Sequence, residues 1–474
     1  MISQRANLAL KLEFKDRIFK EKICLNKPCE QIVQTLNDCG FEAWAVGGCV
    51  RDSIMGKVPY DFDVTTNASP NDVKEIFEGR GHKTIDTGIK HGTVSVIIKD
   101  LENKQEVVEV TTYRSDGKYR DSRHPDEVTF VDSLDEDLKR RDFTINAIAY
   151  NPKIGIYDPH FGLDDIKNKT IKCVGSPKKR FVEDALRILR ACRFVSTTGF
   201  DLDEKCFDAA CASKSKLIMI SSERITNELD KLLAGEYVFK SLMQCVDLLE
   251  VVIPEISASK GFDQQTKYHA FDVWEHISHV VEHVDNEQLL RWAALCHDIG
   301  KPSMFFKDES GQGHFYGHAA QSKRLSENML SRLTLKNSLK KDILTLVERH
   351  NDTLSPTKKS IISTIKLMNG DVDLFRKLLK LKRADSLGHA HDYVDQVKIY
   401  DEIESLLNEM LTLGIVFKTS DLKINGKDMI DLGIKEGPKI KEKLEVALQW
   451  VQSEVCKNNR EELLLKIKKN LSQK

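Results

Sequence analysis

Two glycines and two aspartates near one end of the chain have the types and spacing to manage a phosphate and the metal that accompanies it. Gly47 and Gly48 lie where the apolar run Ala43–Val46 gives way to a helical segment, so the backbone there can approach an anion closely. Downstream, Asp61 and Asp63 alternate in the strand-like Asp61-Phe62-Asp63-Val64-Thr65. A period of two puts both carboxylates on one face of a sheet and Phe62 on the other. Carboxylates facing a phosphate-sized hollow suit Mg²⁺ ions and the transfer of a nucleotidyl group. Either half alone reads as a tight turn or as solvated acids. Their order and spacing together favour phosphoryl chemistry.

The elements that must position these residues change character along the chain. From Phe41 to Tyr113, strand-like runs (Ala43–Val46, Phe62–Thr65, Thr93–Ile98 and Val107–Thr112) alternate with helical segments. Ser69-Pro70, with Asp72 in the first turn, opens one of these helices. From about Ser176 the strand signals nearly vanish, and breaks fall near Pro254, Gly311-Gln312-Gly313, Ser355-Pro356 and Gly437-Pro438. The expected fold is α+β: an N-terminal mixed-sheet head followed by an all-helical neck, body and tail. The boundaries read as an appendage over 1–22, a head over 23–151, a neck over 152–255, a body over 256–400 and a tail over 401–474.

Composition narrows the partners less than the motifs do. With 474 residues, 41% of them hydrophobic, the chain can bury several cores, about three to four domains' worth. A net charge of −1 excludes a uniformly basic nucleic-acid coat but allows a local basic lining. The eleven cysteines are odd in number and scattered, and neither Cys24/Cys29 nor Cys206/Cys211 has zinc-site spacing. Reduced thiols in a cytoplasmic protein fit best. No apolar run reaches membrane-spanning length, and Lys11, Glu13, Lys15 and Asp16 break up any secretory core.

Four motifs follow one another in a fixed order: Gly47-Gly48-x-Val50-Arg51-Asp52, Asp61-x-Asp63, Arg140-Arg141-Asp142-Phe143-Thr144-Ile145-Asn146-Ala147 and Glu183-Asp184-x-Leu186-Arg187-x-Leu189-Arg190. From about Cys24 to Ala234 the chain resembles the class II tRNA nucleotidyltransferases, the CCA-adding enzymes and their bacterial poly(A) polymerase relatives. The resemblance implies a nucleotidyltransferase head and helical domains that hold the tRNA acceptor arm. It implies CTP and ATP as substrates and Mg²⁺ held by Asp61 and Asp63. Glu109, in the strand around Val107–Thr112, is either a third carboxylate of this set or a structural strand acid. Gly48 and Arg51 would grip phosphate oxygens and Arg141 would add a charge-assisted clamp.

The segment from Phe181 to Phe194 reads as one continuous helix, with Asp184, Arg187, Arg190 and Arg193 three apart on one face. A carboxylate only accepts hydrogen bonds and a guanidinium only donates. Cytosine and adenine each set an amino donor beside a ring-nitrogen acceptor, whereas uracil and guanine set a carbonyl beside an N–H. An Asp–Arg pair therefore accepts C and A and leaves polar groups unmatched against U and G. The polar segment Ser115–Pro125 resembles the flexible loop associated with final A addition. That favours a full C, C, A sequence, though an A-only enzyme would keep the same residues.

Further along, His276, the run His297-Asp298-Ile299-Gly300-Lys301, His318, His350 and Asp385 resemble the HD phosphohydrolases, whose ligands converge from separate helices on divalent metal. The ligand types leave that second metal open among Mn, Fe, Ni, Zn and Mg. The combination suggests repair of blocked RNA 3′ ends, by phosphate removal or opening of a 2′,3′-cyclic phosphate. In the tail, Gly437-Pro438 opens a helix carrying Lys439 and Lys441, which suits an RNA phosphate and equally a solvated amphipathic helix.

Overall fold

The computed structural model describes residues 17–99, 105–116, 128–265, 271–388, 395–435 and 437–472. They form two compact units, one within residues 1–241 and 247–252 and the other within residues 242–246 and 253–474.

The first unit is built on an eight-stranded mixed sheet. Its strands are β1 (Ile18–Phe19), β2 (Ala43–Val46), β3 (Asp63–Thr66), β4 (Lys83–Gly88), β5 (Thr93–Lys99), β6 (Gln105–Thr112), and, beyond a separate β7–β8 hairpin (Arg114–Asp116 with Val128–Phe130), β9 (Ala149–Asn151) and β10 (Gly155–Tyr157). The spatial order is β1-β10-β9-β2-β3-β6-β5-β4. Alternation along β2 divides the two faces. Ala43 and Ala45 join a core in which Ile32, Val33 and Leu36 of the Lys27–Asp38 helix and Val73 and Phe77 of the Pro70–Glu78 helix cover Val64, Val96 and Val108. The second of these helices has the capping box its sequence announces: Ser69 Oγ accepts from Asp72 N–H and Asp72 Oδ2 accepts from Ser69 N–H. Trp44 and Val46 face the other way, into a smaller core with Tyr113, Leu134 and Leu138.

Register decides what this second face carries at its end. Val46 pairs with Asp63 across antiparallel β2–β3, and Asp63 pairs with Glu109 across parallel β3–β6. Opposed residues share a face, so the two carboxylates lie side by side on neighbouring strands.

Four expectations need correction. Residues 1–22 are not wholly an appendage, because Ile18–Phe19 pairs with β10 as an edge strand. The strand bearing the aspartates begins at Asp63, and Asp61 sits in the exposed segment before it. The helix expected from Phe181 to Phe194 is two helices, Pro177–Glu183 and Leu186–Thr198, because Asp184 is extended at φ −141°, ψ 105°. The neck and body are mainly but not wholly helical: Thr170–Ile171 pairs with Asp201–Leu202, and Phe306–Lys307 with Gly313–His314. The α+β class itself is as expected.

The second unit consists mainly of helices, among them Val273–His283, Gln288–Cys296, His318–Arg332, Asn337–Arg349 and Val372–Leu387. Towards its end, Gly426–Asp431, Pro438–Gln452 and Arg460–Ser472 enclose a core of their own around Met429, Ala447, Val451 and Leu463. Of the segment Ser115–Pro125, the part from Gly117 onward lies outside the described residues.

Candidate active site and metal centre

A cavity of about 460 Å³ opens at the end of β2, β3 and β6 and is walled by Asp184 and by the Leu186–Thr198 and Ser222–Leu233 helices. Of the residues the sequence singles out, Gly47, Gly48, Asp63, Glu109, Arg141, Asp184, Arg187 and Arg190 line it. Gly47 holds φ +79°, and a Cβ there would lie 3.5 Å from Asp63 Oδ2 and 3.4 Å from Arg141 Nη1. Glycine lets the chain turn into the Gly48–Ile54 helix without filling the space between those two charges.

Three singled-out residues are placed differently. Asp61 is exposed and outside the lining, although its charge reaches Asp63. Arg51 donates to Asn146 Oδ1 at 2.6 Å and to Asp52 at 2.8 Å, packed near the Phe194 ring. Arg193 lies 3.3 Å from Glu228 and over the same ring. Both brace the cavity wall from behind.

Electrostatics concentrate on the sheet end. Burial pushes Asp63 up to about 6; Arg141 opposes the rise, and Glu109 and Asp61 add to it. Clustered carboxylates of this kind are stabilised by a cation, and their oxygens fit the ligand preference of Mg²⁺. Below them Asp137, fully buried, takes Arg140 at 2.7 Å and Arg141 at 3.1 Å and accepts from Thr65 Oγ1. Burial works against that charge, but the two guanidiniums outweigh it and hold the carboxyl below its usual range.

The expected Asp184–Arg187 pair arises otherwise than from one helical face. Asp184 occupies the break, where its Oδ1 accepts from Leu186 N–H at 3.0 Å and its Oδ2 accepts from Arg224 at 2.8 Å. Arg187 is held by Glu183 at 2.8 Å and by the carbonyls of Arg180 and Arg140. Asp184 at the break and Arg187 in the second helix converge on one cavity. Among the lining residues, Asn146 of the third motif carries no role assigned from sequence, and Arg114 escapes sequence reasoning altogether, as does Arg224 in the Ser222–Leu233 helix. Its Nη1 is buried without a hydrogen bond.

In the second unit, all six HD-type residues converge. His276, His297, Asp298 and Asp385 place ligand atoms within 4.8 Å of one another, and so do Asp298, His318 and His350. Asp298 belongs to both groups. The Nδ1 atoms of His276, His297, His318 and His350 face the carbonyls of Gly388, Ala294, Phe315 and Val347 at 2.7–3.1 Å. A carbonyl only accepts, so each Nδ1 carries the proton and each Nε2 turns inward as a ligand atom. Without a cation, burial disfavours a charged His297, but Asp298 overrides this and lifts the imidazole to about 10. His318 Nε2 and His350 Nε2 lie 3.1 Å apart, and Asp298 Oδ1 accepts no hydrogen bond. Facing nitrogen lone pairs and an orphaned carboxylate oxygen fit a bound cation. Gly300 makes the site possible, because a Cβ there would meet Ser322 N at 2.5 Å and His318 O at 2.7 Å.

Lys439 and Lys441 are exposed on the Pro438–Gln452 helix, and Lys441 Nζ lies 3.9 Å from Glu445. No helix among the described residues is long and apolar enough to cross a membrane.

Known proteins resemble this chain in sequence and in fold. Residues 43–172 match the poly(A) polymerase head domain, 199–260 the probable RNA- and SrmB-binding site of polymerase A, and 266–390 the HD domain. A CCA-adding enzyme of Geobacillus stearothermophilus is 42% identical over 270 residues, 57% of this chain and 62% of that protein. One from Lactobacillus helveticus is 46% identical over 230 residues, 48% of this chain and 55% of that protein. The matched stretch thus spans somewhat over half of these relatives. The crystal structure of the Bacillus stearothermophilus CCA-adding enzyme in complex with CTP superposes with a TM-score of 0.71 at 29% identity, covering 95% of this chain and 99% of that one.

One buried contact in the cavity wall has a measurable consequence. Asp142 lies 2.6 Å from Arg190 and accepts from Phe143 N–H. Burial opposes its charge, but Arg190 and Arg187 hold the carboxyl well below its usual range. The stabilisation is therefore present above about pH 4 and is lost as pH falls. Urea unfolding of Asp142→Asn should show a loss of about 3–5 kcal/mol at pH 7. The gap to the parent protein should narrow on acidification.

Proposed function

We propose, from its match to the poly(A) polymerase head and HD domains and its likeness to CCA-adding enzymes, that the chain belongs to the class II tRNA nucleotidyltransferase family of CCA-adding enzymes and bacterial poly(A) polymerases. On that premise we propose that it adds C, C and A to the 3′ end of tRNA from CTP and ATP. One observation carries the reading: a single cavity joins the Asp63–Glu109 carboxylates to Asp184 and Arg187. Asp63 and Asp61, with Glu109 beside them, would hold Mg²⁺, which when bound lowers the pKa of the RNA 3′-hydroxyl and offsets the triphosphate charge. Arg141 and the Gly47-Gly48 backbone take phosphate oxygens, and Arg190 lies on the same wall. Arg187, fixed by Glu183 and the carbonyls of Arg180 and Arg140 rather than free to swing, donates to N3 of cytosine or N1 of adenine, while Asp184 accepts from the amino group. The acceptor arm of tRNA is the partner this implies, with Lys439 and Lys441 available to its phosphates.

Asp63→Ala or Asp61→Ala should abolish incorporation of both nucleotides and leave tRNA binding nearly intact, since these groups act on chemistry rather than docking. Because the Asp63 proton, lost near pH 6, competes with the cation, the Mg²⁺ concentration giving half-maximal incorporation should rise about tenfold per pH unit below that value and level off above about pH 7. A flat profile from pH 5 to 8 would remove Asp63 from the metal site.

Arg187→Ala should slow addition and also raise the ratio of UTP and GTP to CTP and ATP incorporated, measured in single-turnover competition. An unchanged ratio with a lower rate would assign Arg187 to phosphate or to structure.

A second activity is favoured by the inward-facing Nε2 atoms and the shared Asp298. The HD cluster would hold divalent metal and hydrolyse a phosphate or 2′,3′-cyclic phosphate at a damaged 3′ end, restoring the hydroxyl that nucleotidyl transfer requires. With added divalent cation, the protein should convert a cyclic-phosphate tRNA into an extendable one. His297→Ala should block that step while extending a free 3′-hydroxyl at a near-normal rate, since the sites belong to different compact units. Equal repair by the variant would reduce the cluster to a scaffold.

A further inference from the structure

The Val273–His283 helix turns His276 inward to the HD centre, but three other residues of the same helix lie on its less buried side: His279, Glu282 and His283. We propose that these three form a separate site for a borderline transition cation such as Zn²⁺. Their spacing of three and four residues stacks them on consecutive turns. Their ligand atoms lie within 4.8 Å of one another, with His279 Nδ1 3.8 Å from Glu282 Oε2.

The site is partly ordered before any cation arrives. His283 Nδ1 lies 2.7 Å from the His279 carbonyl, so that nitrogen carries the proton and Nε2 is left as the ligand atom. The Phe271 ring packs against His279 at 4.5 Å between centroids and limits its rotation. Two imidazoles and one carboxylate suit Zn²⁺ and match Mg²⁺ poorly, since Mg²⁺ prefers an all-oxygen octahedron. Arg291, in the Gln288–Cys296 helix, supplies an opposing charge, and Glu282 and Asp285 together outnumber it. Water completes the coordination from the open side. A bound cation joins residues on successive turns at the end of the helix that carries His276, and so braces its last turn.

The test uses the full-length protein, stripped with a chelator and titrated with Zn²⁺ by calorimetry, with metal content counted after gel filtration. The protein should retain one more Zn²⁺ than His283→Ala, with the HD equivalents unchanged. Glu282→Gln should keep the additional ion but bind it at least several-fold more weakly. Excess Mg²⁺ should not displace it. Zn²⁺ should raise the melting temperature of the parent protein more than that of His283→Ala. Both variants replace exposed side chains outside the HD centre, and melting in chelator checks that they fold. Equal Zn²⁺ stoichiometry and affinity in the parent protein and both variants would overturn the site, whatever the HD centre hydrolyses.

Discussion

The buried carboxylate of Asp142 ties the first unit's cavity together. It takes Arg190 from the Leu186–Thr198 helix, and Asn146 reaches it from the turn before β9 at 3.4 Å. Asn146 in turn accepts from Arg51 of the glycine-opened helix, while Arg190 and Arg193 extend the chain of charges to Glu228. Glycine helix, turn and arginine helix are thereby locked in one alternating network. Burying so many polar groups is costly, and it is offset only when each finds its partner. A network of this kind resists small displacements, as the proposed reading of base edges requires.

Around that frame the cavity divides its labour by element. The sheet end supplies carboxylates in fixed register, because Asp63 and Glu109 are neighbours in the β3–β6 ladder. The helices supply guanidiniums, each anchored behind by its own acid: Arg187 by Glu183, Arg190 by Asp142, Arg224 by Asp184. Asp137 does the same for Arg140 and Arg141 from beneath the sheet face. Positive charge thus lines the same cavity as the carboxylates, which sit where a cation would gather them. The HD centre follows the same logic with different atoms. There backbone carbonyls fix four imidazoles, and one aspartate serves both ligand groups.

What could be read in the sequence was whatever depends on residue type and order. The Gly-Gly turn, the Asp63 strand, the Ser69 cap and the HD ligand series all carry local signatures. What escaped depends on distant partners. From Phe181 to Phe194 nearly every residue is compatible with a helix, and no glycine or proline marks the break at Asp184. It is supported by Asp184 accepting from Leu186 N–H and by Arg224, 40 residues later. Arg224 itself looks like any arginine near the start of an amphipathic helix. Ile18–Phe19 is too short to show a period, and only its pairing with β10 makes it a strand. The shared position of Asp298 needs three dimensions, since order alone cannot say which ligands share an atom's reach.

The central claim is that Asp184 and Arg187 select C and A in turn, at one cavity, on a tRNA end. The most direct measurement offers the purified protein three tRNA transcripts, ending at the discriminator base, at C and at CC, with CTP and ATP supplied separately. The account predicts that CTP alone extends the first by two residues and the second by one. ATP alone should extend only the CC end, by one residue. Repeated addition of A to all three transcripts, or no incorporation of C, would contradict it.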